Sequence, residues 1–197
     1  MGQYYHPTNI DKKQFVYSHS IKEKYTSDDG RTFESRVGLK LMEHSYIDNP
    51  MMNLVERLLM PDGAWHKNSI VWAGDYADGE GIESDRNGGT LNWYLIVGEN
   101  KENEVNHEGM TEKIPEEYRY IINHTKKQFV DKSKLVEGKW GIIHPLSLLT
   151  AEGNGRGGGD YRGSREDEVG LWARDSISVE TKAPEGFTEI DGQFKEA

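Results

Sequence analysis

The chain contains no cysteine, so disulfide bonds, thiolate zinc sites and cysteine nucleophiles are all excluded. No run of apolar residues is long enough to cross a bilayer. The first residues, Met1–His6, lack the apolar centre of a signal peptide, and His6 stands where N-myristoylation requires Ser or Thr. These absences predict a cytoplasmic protein with no membrane partner.

Positive charge is also scarce: 24 Lys and Arg face 34 Asp and Glu, for a net charge of -10 over 197 residues. Phosphate binding requires clustered Lys and Arg, so nucleic acid is an unlikely partner. Acidity of this kind keeps a protein soluble, and it also suits a mimic of nucleic acid. The 22 glycines indicate many tight turns and argue against a helical bundle.

A five-residue segment occurs twice. Lys12–Val16 and Lys126–Val130 both read Lys-Lys-Gln-Phe-Val, and each follows an Asn by three residues, Asn9 or Asn123. A second echo follows each copy in the same order: Trp-Ala-Gly-Asp in Val71–Asp75, and Trp-Ala-Arg-Asp in Leu171–Asp175. Two ordered matches predict one structural unit used twice. The predicted boundaries are a first unit at 1–98, an acidic connector at 99–117, a second unit at 118–182 and a loosely ordered tail at 183–197.

The patterns predict an α+β fold, mainly antiparallel β-sheet, with two related lobes. Asn49 as N-cap and Pro50 at the first helical position predict a helix near 49–59, and a short helix is expected over 145–151. Asp29-Gly30 predicts a hairpin turn. A second hairpin is expected around residues 123–125. Strands are expected at 14–17, 37–42, 69–73, 91–97, 120–122, 128–130, 140–144, 169–172 and 177–179.

The most unusual segment is rich in glycine. It comprises Gly153, Asn154, Gly155, Arg156, Gly157, Gly158, Gly159 and Asp160. Backbone N–H groups of such a segment can converge on an anion, and Arg156 would add a forked donor for phosphate or carboxylate. A glycine-rich turn that merely joins two elements explains the segment equally well.

Known phosphate-binding motifs do not fit this segment. Gly153, Gly155 and Gly158 satisfy the dinucleotide fingerprint literally, but no apolar helical stripe follows them. A Walker loop fails because Gly-Lys-Ser and Gly-Lys-Thr are absent.

Two carboxylates, Asp75 and Asp175, are expected just past apolar strands. A turn-forming role is the more frequent one for Asp there. Trp72 and Trp172, which precede them, are expected to be core residues first and ligand-stacking residues second. The acidic run Asp75, Asp78, Glu80, Glu83 and Asp85 does not match a calcium-binding loop and predicts an exposed loop. His44 and His144 have no nucleophile or carboxylate at a recognisable spacing, so ordinary polar roles are expected.

Four segments resemble an uncharacterised family of small bacterial and phage-associated proteins. They are Met1–Tyr5, Gly38–Glu43, Val71–Asp78 and Gly153–Asp160, and members of that family begin MGQYY and carry GLKL-E, WAGD or AGDYAD, and GNGRGGGD segments. The resemblance covers about 1–78 and 120–180 and implies no catalytic residue, activity or cofactor. The glycine segment belongs to the second half only, which implies one ligand site per chain, near Arg156.

Three functions are therefore open. The leading hypothesis is a binding module for a small anionic, nucleotide-like ligand at Gly153–Asp160, with Trp72 or Trp172 packed beneath. The second is an acidic protein-interaction or inhibitor protein of phage or mobile-element origin. The third is a metal-dependent hydrolase that uses Asp75, Asp160 or Asp175, which requires two of these carboxylates to share metal ions roughly 4 Å apart.

Overall fold

The computed structural model describes residues 3–77, 92–153 and 159–197, and within them the fold is α+β with a mainly antiparallel sheet, as predicted. The strands are β1 (Tyr5–Asn9), β2 (Gln14–Phe15), β3 (Lys22–Thr26), β4 (Thr32–Arg36), β5 (Asn68–Gly74), β6 (Tyr120–Asn123), β7 (Gln128–Asp131), β8 (Ala151–Glu152), β9 (Ser176–Glu180) and β10 (Thr188–Glu189). The α-helices are α1 (Leu41–His44), α2 (Pro50–Leu59), α3 (Trp93–Gly98) and α4 (Pro145–Leu149).

Eight of these strands form one sheet, whose order is β10-β7-β6-β9-β5-β1-β2, with β8 also paired to β5. The central strand, β5, runs antiparallel to β1 and β9 but parallel to β8, with Trp72 opposite Ala151. Strands β3 and β4 pair only with each other, as a separate antiparallel hairpin. Because β5 and β8 are parallel neighbours, the chain leaves both of them at the same edge of the sheet.

The two predicted helices are confirmed. Asn49 caps α2, since its side-chain oxygen accepts a hydrogen bond from Met51 N at 3.0 Å, and Pro50 occupies the first helical position. In α4 the imidazole of His144 takes the capping role and accepts from Leu146 N at 3.2 Å. Both helices bury most of their side chains, so tertiary packing stabilises elements that are short for isolated helices.

The repeated segments form hairpins with the same turn. Asn9 Oδ1 accepts from Lys12 N at 2.9 Å, and Asn123 Oδ1 accepts from Lys126 N at 2.8 Å. The next residue in each copy, a lysine, has φ of 53°. Identical local sequence therefore produces identical backbone geometry twice.

The Trp-Ala echo, in contrast, does not mark equivalent positions. Gln14 Oε1 accepts from the indole N–H of Trp65 at 3.0 Å, and Gln128 Oε1 accepts from that of Trp172 at 2.9 Å. Trp65 is thus the counterpart of Trp172, whereas Trp72 lies inside β5. The expected strand at 169–172 is wrong, because these residues form turns before β9, and Asp175 precedes a strand rather than following one. The two related lobes and their boundaries stay predictions.

Three other expectations are corrected by the structure. Residues 93–97, expected in a strand, belong to α3, because the Asn92 side chain accepts from Tyr94 N and Leu95 N and caps a helix. Residues 41 and 42 begin α1 instead of extending a strand. The tail is ordered: β10 pairs with β7, and Phe194 is buried.

One hydrophobic core contains residues from both predicted units. Its largest fully buried side chains include Trp65, Trp72, Trp172, Tyr5 and Tyr161. Among the described helices, none combines the length and the hydropathy that a bilayer-spanning segment needs.

Candidate functional site at the edge where β5 and β8 end

The two most unusual sequence segments leave the sheet side by side. Strand β5 ends at Gly74 and continues into Asp75, while the parallel strand β8 ends at Glu152 and continues into Gly153. In sheets with parallel strands, ligands bind at the edge where the strands have their carboxyl ends. We call this the β5–β8 edge. Its position makes it the candidate binding site.

The two described ends of the glycine segment, Gly153 and Gly159, both pack closely against Tyr5. A Cβ atom at Gly153 would lie 2.3 Å from Tyr5 Oη, and one at Gly159 would lie 2.6 Å from Tyr5 Cε2. Gly159 also has φ of +57°, which L side chains rarely adopt. Glycine is required at these two positions by close approach, so the segment is anchored at both ends to a fully buried aromatic ring.

Gln3 contributes a buried donor that has no partner among the described residues. Its Oε1 accepts from Tyr5 Oη at 2.7 Å, and a Cβ atom at Gly74 would lie 2.7 Å from Gln3 Nε2. Gln3 is only 6% exposed, yet Nε2 makes no hydrogen bond. A buried unpaired N–H costs about 1–3 kcal/mol, and such a group in a folded protein calls for an explanation, of which a bound ligand is one.

Two carboxylates flank the same place. Asp75 Oδ1 accepts from Tyr4 N at 3.0 Å, and Asp160 Oδ1 accepts from Met42 N at 3.1 Å. Burial raises the pKa of both carboxyl groups. Burial also raises the pKa of the Tyr5 hydroxyl, and the negative charges of Asp160 and Asp75 add to that shift. The described part of the edge is therefore negatively charged, with Asp75 partly buried and Asp160 exposed.

Beneath the edge, Trp72 and His44 form a buried pair. The Trp72 indole N–H donates to His44 Nε2 at 2.9 Å, and His44 Nδ1 lies 3.0 Å from Gly38 O. Nε2 is thus the acceptor, Nδ1 carries the proton, and burial lowers the pKa of His44 to about 4. Trp72 and Trp172 are both fully buried, so neither presents an exposed ring face to a ligand.

Several predicted residues lie outside the described part of the chain. They are Asn154, Gly155, Arg156, Gly157 and Gly158 of the glycine segment, and Asp78, Glu80, Glu83 and Asp85 of the acidic run.

Of the carboxylates proposed for a hydrolase, Asp75 and Asp160 are brought to this edge and Asp175 is not. Asp175 Oδ2 accepts from Asn123 Nδ2 and from Lys126 Nζ, both at 2.8 Å, and so supports the second hairpin. Within residues 3–77, 92–153 and 159–197, no group of three His, Asp or Glu side chains is placed to hold a metal ion.

Sequence reasoning missed Gln3 and Tyr5 as site residues. The signal was available, because four segments singled out in the sequence all contribute here. Gln3 and Tyr5 come from Met1–Tyr5, Leu39 and Met42 from Gly38–Glu43, the end of β5 from Val71–Asp78, and Gly153 and Gly159 from Gly153–Asp160. Tyr5 N donates to Leu39 O at 2.9 Å, which ties the first two segments together. No family model matches this chain, and neither a curated protein nor a solved structure gives a match.

Proposed function

We propose that the protein binds a small anionic, nucleotide-like molecule at the β5–β8 edge. The observation that carries the proposal is the unpaired Nε2 of Gln3, a buried donor beside the point where two parallel strands end. The free-energy cost of burying this N–H group is offset when a ligand atom accepts a hydrogen bond from it. A phosphate or carboxylate oxygen is such an acceptor.

The glycine segment supplies the remainder of the proposed anion site. Its ends at Gly153 and Gly159 are held against Tyr5, and the sequence predicts that Arg156 neutralises the ligand's charge. The carboxylates of Asp75 and Asp160 would repel a second negative group. We therefore infer that the ligand directs hydroxyl or amine groups toward them, an arrangement that a nucleotide offers through its sugar.

Thermal unfolding with a panel of ligands tests this proposal. The panel contains nucleoside mono-, di- and triphosphates, the matching nucleosides, inorganic phosphate and sulfate. We expect the phosphorylated compounds to raise the Tm by several degrees at ligand concentrations a hundredfold above the Kd, and the nucleosides to have less effect. No shift with any anion contradicts the proposal.

Two variants locate the binding. Gln3→Glu keeps the acceptor for Tyr5 but removes the donor and adds a negative charge, and Gln3→Met removes the donor without adding charge. Both should lose the ligand-induced shift. Gln193→Glu is the matched control, because its amide donates to Lys134 O at 3.0 Å in the tail, and it should keep the shift.

One observation favours a second function, the acidic protein-interaction module. Strands β3 and β4 form a hairpin outside the main sheet, and its cross-strand pair Tyr25 and Phe33 is stacked with ring centroids 5.3 Å apart and largely exposed. Exposed aromatic side chains are common anchors of protein interfaces. In affinity capture from a host lysate, a specific partner should bind the wild type and be lost with the double variant Tyr25→Ser/Phe33→Ser.

We also propose a cellular location and an origin for the protein. A cytoplasmic, phage-associated protein fits the absence of cysteine and the resemblance in sequence. Cell fractionation of a tagged chain in its natural host tests the location.

A further inference from the structure

A second cleft lies away from the β5–β8 edge, where residues 113–119 cross the start of α2. Its volume is about 360 Å³, which is within the range of small-molecule sites. Its lining includes four apolar residues, Ile47, Ile114, Pro115 and Ile142. It also includes the charged residues Glu56, Arg119 and Lys132. The cleft therefore offers both hydrocarbon and ionic groups to a ligand.

Two of these charged residues, Glu56 and Lys132, belong to a buried group of three ionisable side chains with His144. The Lys132 ammonium donates to Glu56 Oε1, and His144 Nε2 lies 3.2 Å from the same oxygen, although its angle falls outside that of a hydrogen bond. His144 Nδ1 accepts from Leu146 N, so Nε2 carries the proton. Burial works to raise the pKa of Glu56, but His144 and Lys132 outweigh it and hold that pKa at about 2. The lowered pKa means that Glu56 is ionised at neutral pH.

Two cations, Arg119 and Lys132, line this cleft. The β6–β7 register places Tyr120 opposite Asp131, and Lys132 N donates to Arg119 O at 2.8 Å, so Arg119 and Lys132 are the next cross-strand pair. Each cation has one anionic neighbour, Glu56 for Lys132 and Asp131, at 3.2 Å, for Arg119.

Both cations keep donor capacity that the protein does not use. Among the described residues Lys132 Nζ has Glu56 as its single partner, so two of its three N–H bonds are unspent. Arg119 uses Nη2 for Tyr120 Oη and Asp131 and lies over the Tyr120 ring, with Cζ 4.8 Å from its centroid, and within the described chain Nε and Nη1 have no hydrogen-bond acceptor. The Lys132 side chain is only 14% exposed, so water satisfies its remaining donors poorly.

The other charges at the cleft are better hydrated than Lys132, and so is Arg119, whose side chain is 44% exposed. Lys113 and Asp48 pair with each other at 3.1 Å, and both side chains are about half exposed. Glu116 is exposed as well. Solvent screens these three groups, so they contribute little to binding. They and Glu56 nevertheless disfavour a ligand with more than one negative charge.

We propose that this cleft binds a small organic monocarboxylate with an apolar body. Its carboxylate bridges Arg119 and Lys132, and its hydrocarbon part packs on Ile47, Ile114 and Ile142. One carboxylate supplies acceptors for donors that the described residues leave unspent. This site is independent of the function proposed for the β5–β8 edge.

Isothermal titration at pH 7 with acetate, hexanoate, benzoate, benzyl alcohol and phenyl phosphate tests the proposal. We expect benzoate and hexanoate to bind more tightly than acetate, and benzyl alcohol and phenyl phosphate at least about tenfold more weakly than benzoate. Equal affinity for benzyl alcohol and benzoate contradicts a carboxylate site, as does the absence of binding by every carboxylate at millimolar concentration.

Substitutions in the cleft test where the ligand binds. Arg119→Met should weaken benzoate at least about tenfold, and Ile114→Trp should block the cleft. Arg31→Met, on the β3–β4 hairpin, is the matched control and should have no effect, nor should Gln3→Glu. Near-ultraviolet circular dichroism confirms that each variant is folded. Lys132 is not replaced alone, because its loss leaves Glu56 buried without its ammonium partner. Binding that survives both cleft variants, or that is lost with Gln3→Glu, overturns the proposal.

Discussion

At the scale of single residues, unpaired polar atoms are the most informative feature. Among the described residues, five buried side-chain atoms have no hydrogen-bond partner: Gln3 Nε2, His6 Nε2, Thr8 Oγ1, Ser18 Oγ and His144 Nε2. Gln3 lies at the β5–β8 edge and His144 faces Glu56, so both belong to candidate sites. Thr8 has neither role, although it is fully buried in β1. Its hydroxyl is therefore a local defect that a substitution can remove.

We expect Thr8→Val to raise the free energy of unfolding by about 1 kcal/mol, since valine has nearly the same shape and no group to leave unpaired. Urea denaturation at pH 7 measures the change. Thr150→Val is the matched control: Thr150 is equally buried, but its hydroxyl donates to Leu146 O at 2.7 Å. The control should lower the free energy of unfolding by about 1 kcal/mol. Two variants that change stability in the same direction contradict this account.

At the scale of elements, the sequence predicted best those structures that are held by hydrogen bonds between residues close in sequence. The cap at Asn49 and the two Lys-Lys-Gln-Phe-Val hairpins are complete within a few residues, so the sequence contains their whole explanation. The strand prediction at 91–97 was wrong for residues 93–97. Their preference for β-structure was outweighed by the Asn92 cap, which begins a helix.

The candidate sites were harder to predict, because long-range contacts build them. Residues 3 and 153 meet only through the pairing of β1 and β8 with β5. Glu56, Lys132 and His144 are similarly distant in sequence and meet at one carboxylate oxygen. The glycine segment was the one part of the sites that the sequence indicated, because its unusual composition can be recognised without knowing which residues it contacts.

The repeated hairpins give a paired prediction. Lys13 and Lys127 both adopt φ of 53°, a left-handed conformation that costs an L-residue roughly 1–2 kcal/mol. Lys13→Gly and Lys127→Gly should each raise the free energy of unfolding by up to about 1 kcal/mol, because glycine adopts this conformation without strain. Lys12→Gly and Lys126→Gly are the controls and should not stabilise, since those lysines lack positive φ. Opposite effects in the two hairpins contradict equivalent turns.

The separate β3–β4 hairpin should be dispensable for folding. Every residue of Lys22–Arg36 is at least partly exposed, whereas Ile21 and Val37 at its base are fully buried and joined by a 3.1 Å hydrogen bond from Val37 N to Ile21 O. Replacing residues 22–36 with Asn-Gly preserves that bond in a two-residue turn. We expect the free energy of unfolding, measured in urea, to change by less than about 1 kcal/mol. A loss above about 3 kcal/mol contradicts this.

At the scale of the whole molecule, buried titratable groups decide how stability depends on pH. Burial lowers the pKa of His6 to about 3 and that of His44 to about 4, from 6.5 in the unfolded chain. The unfolded chain therefore binds more protons below pH 6.5, and stability falls as the pH falls from there. Burial raises the pKa of Tyr5, and it raises that of Tyr94 to about 12, so stability also falls as the pH rises above 10. The maximum is expected between about pH 7 and 9.

His6→Phe isolates one of these contributions. His6 stacks on Tyr94 with ring centroids 4.1 Å apart and lies 4.8 Å from Phe15, so phenylalanine fits an aromatic environment and has no proton to bind. In urea unfolding between pH 4 and 6, we expect the variant to lose about 1.4 kcal/mol less stability per pH unit than the wild type. Thr8→Val, on the same face of β1, should keep the wild-type slope. An unchanged slope in His6→Phe means that the folded protein protonates His6 above pH 4, which requires water to reach its ring and contradicts the closed packing of β1 against α3.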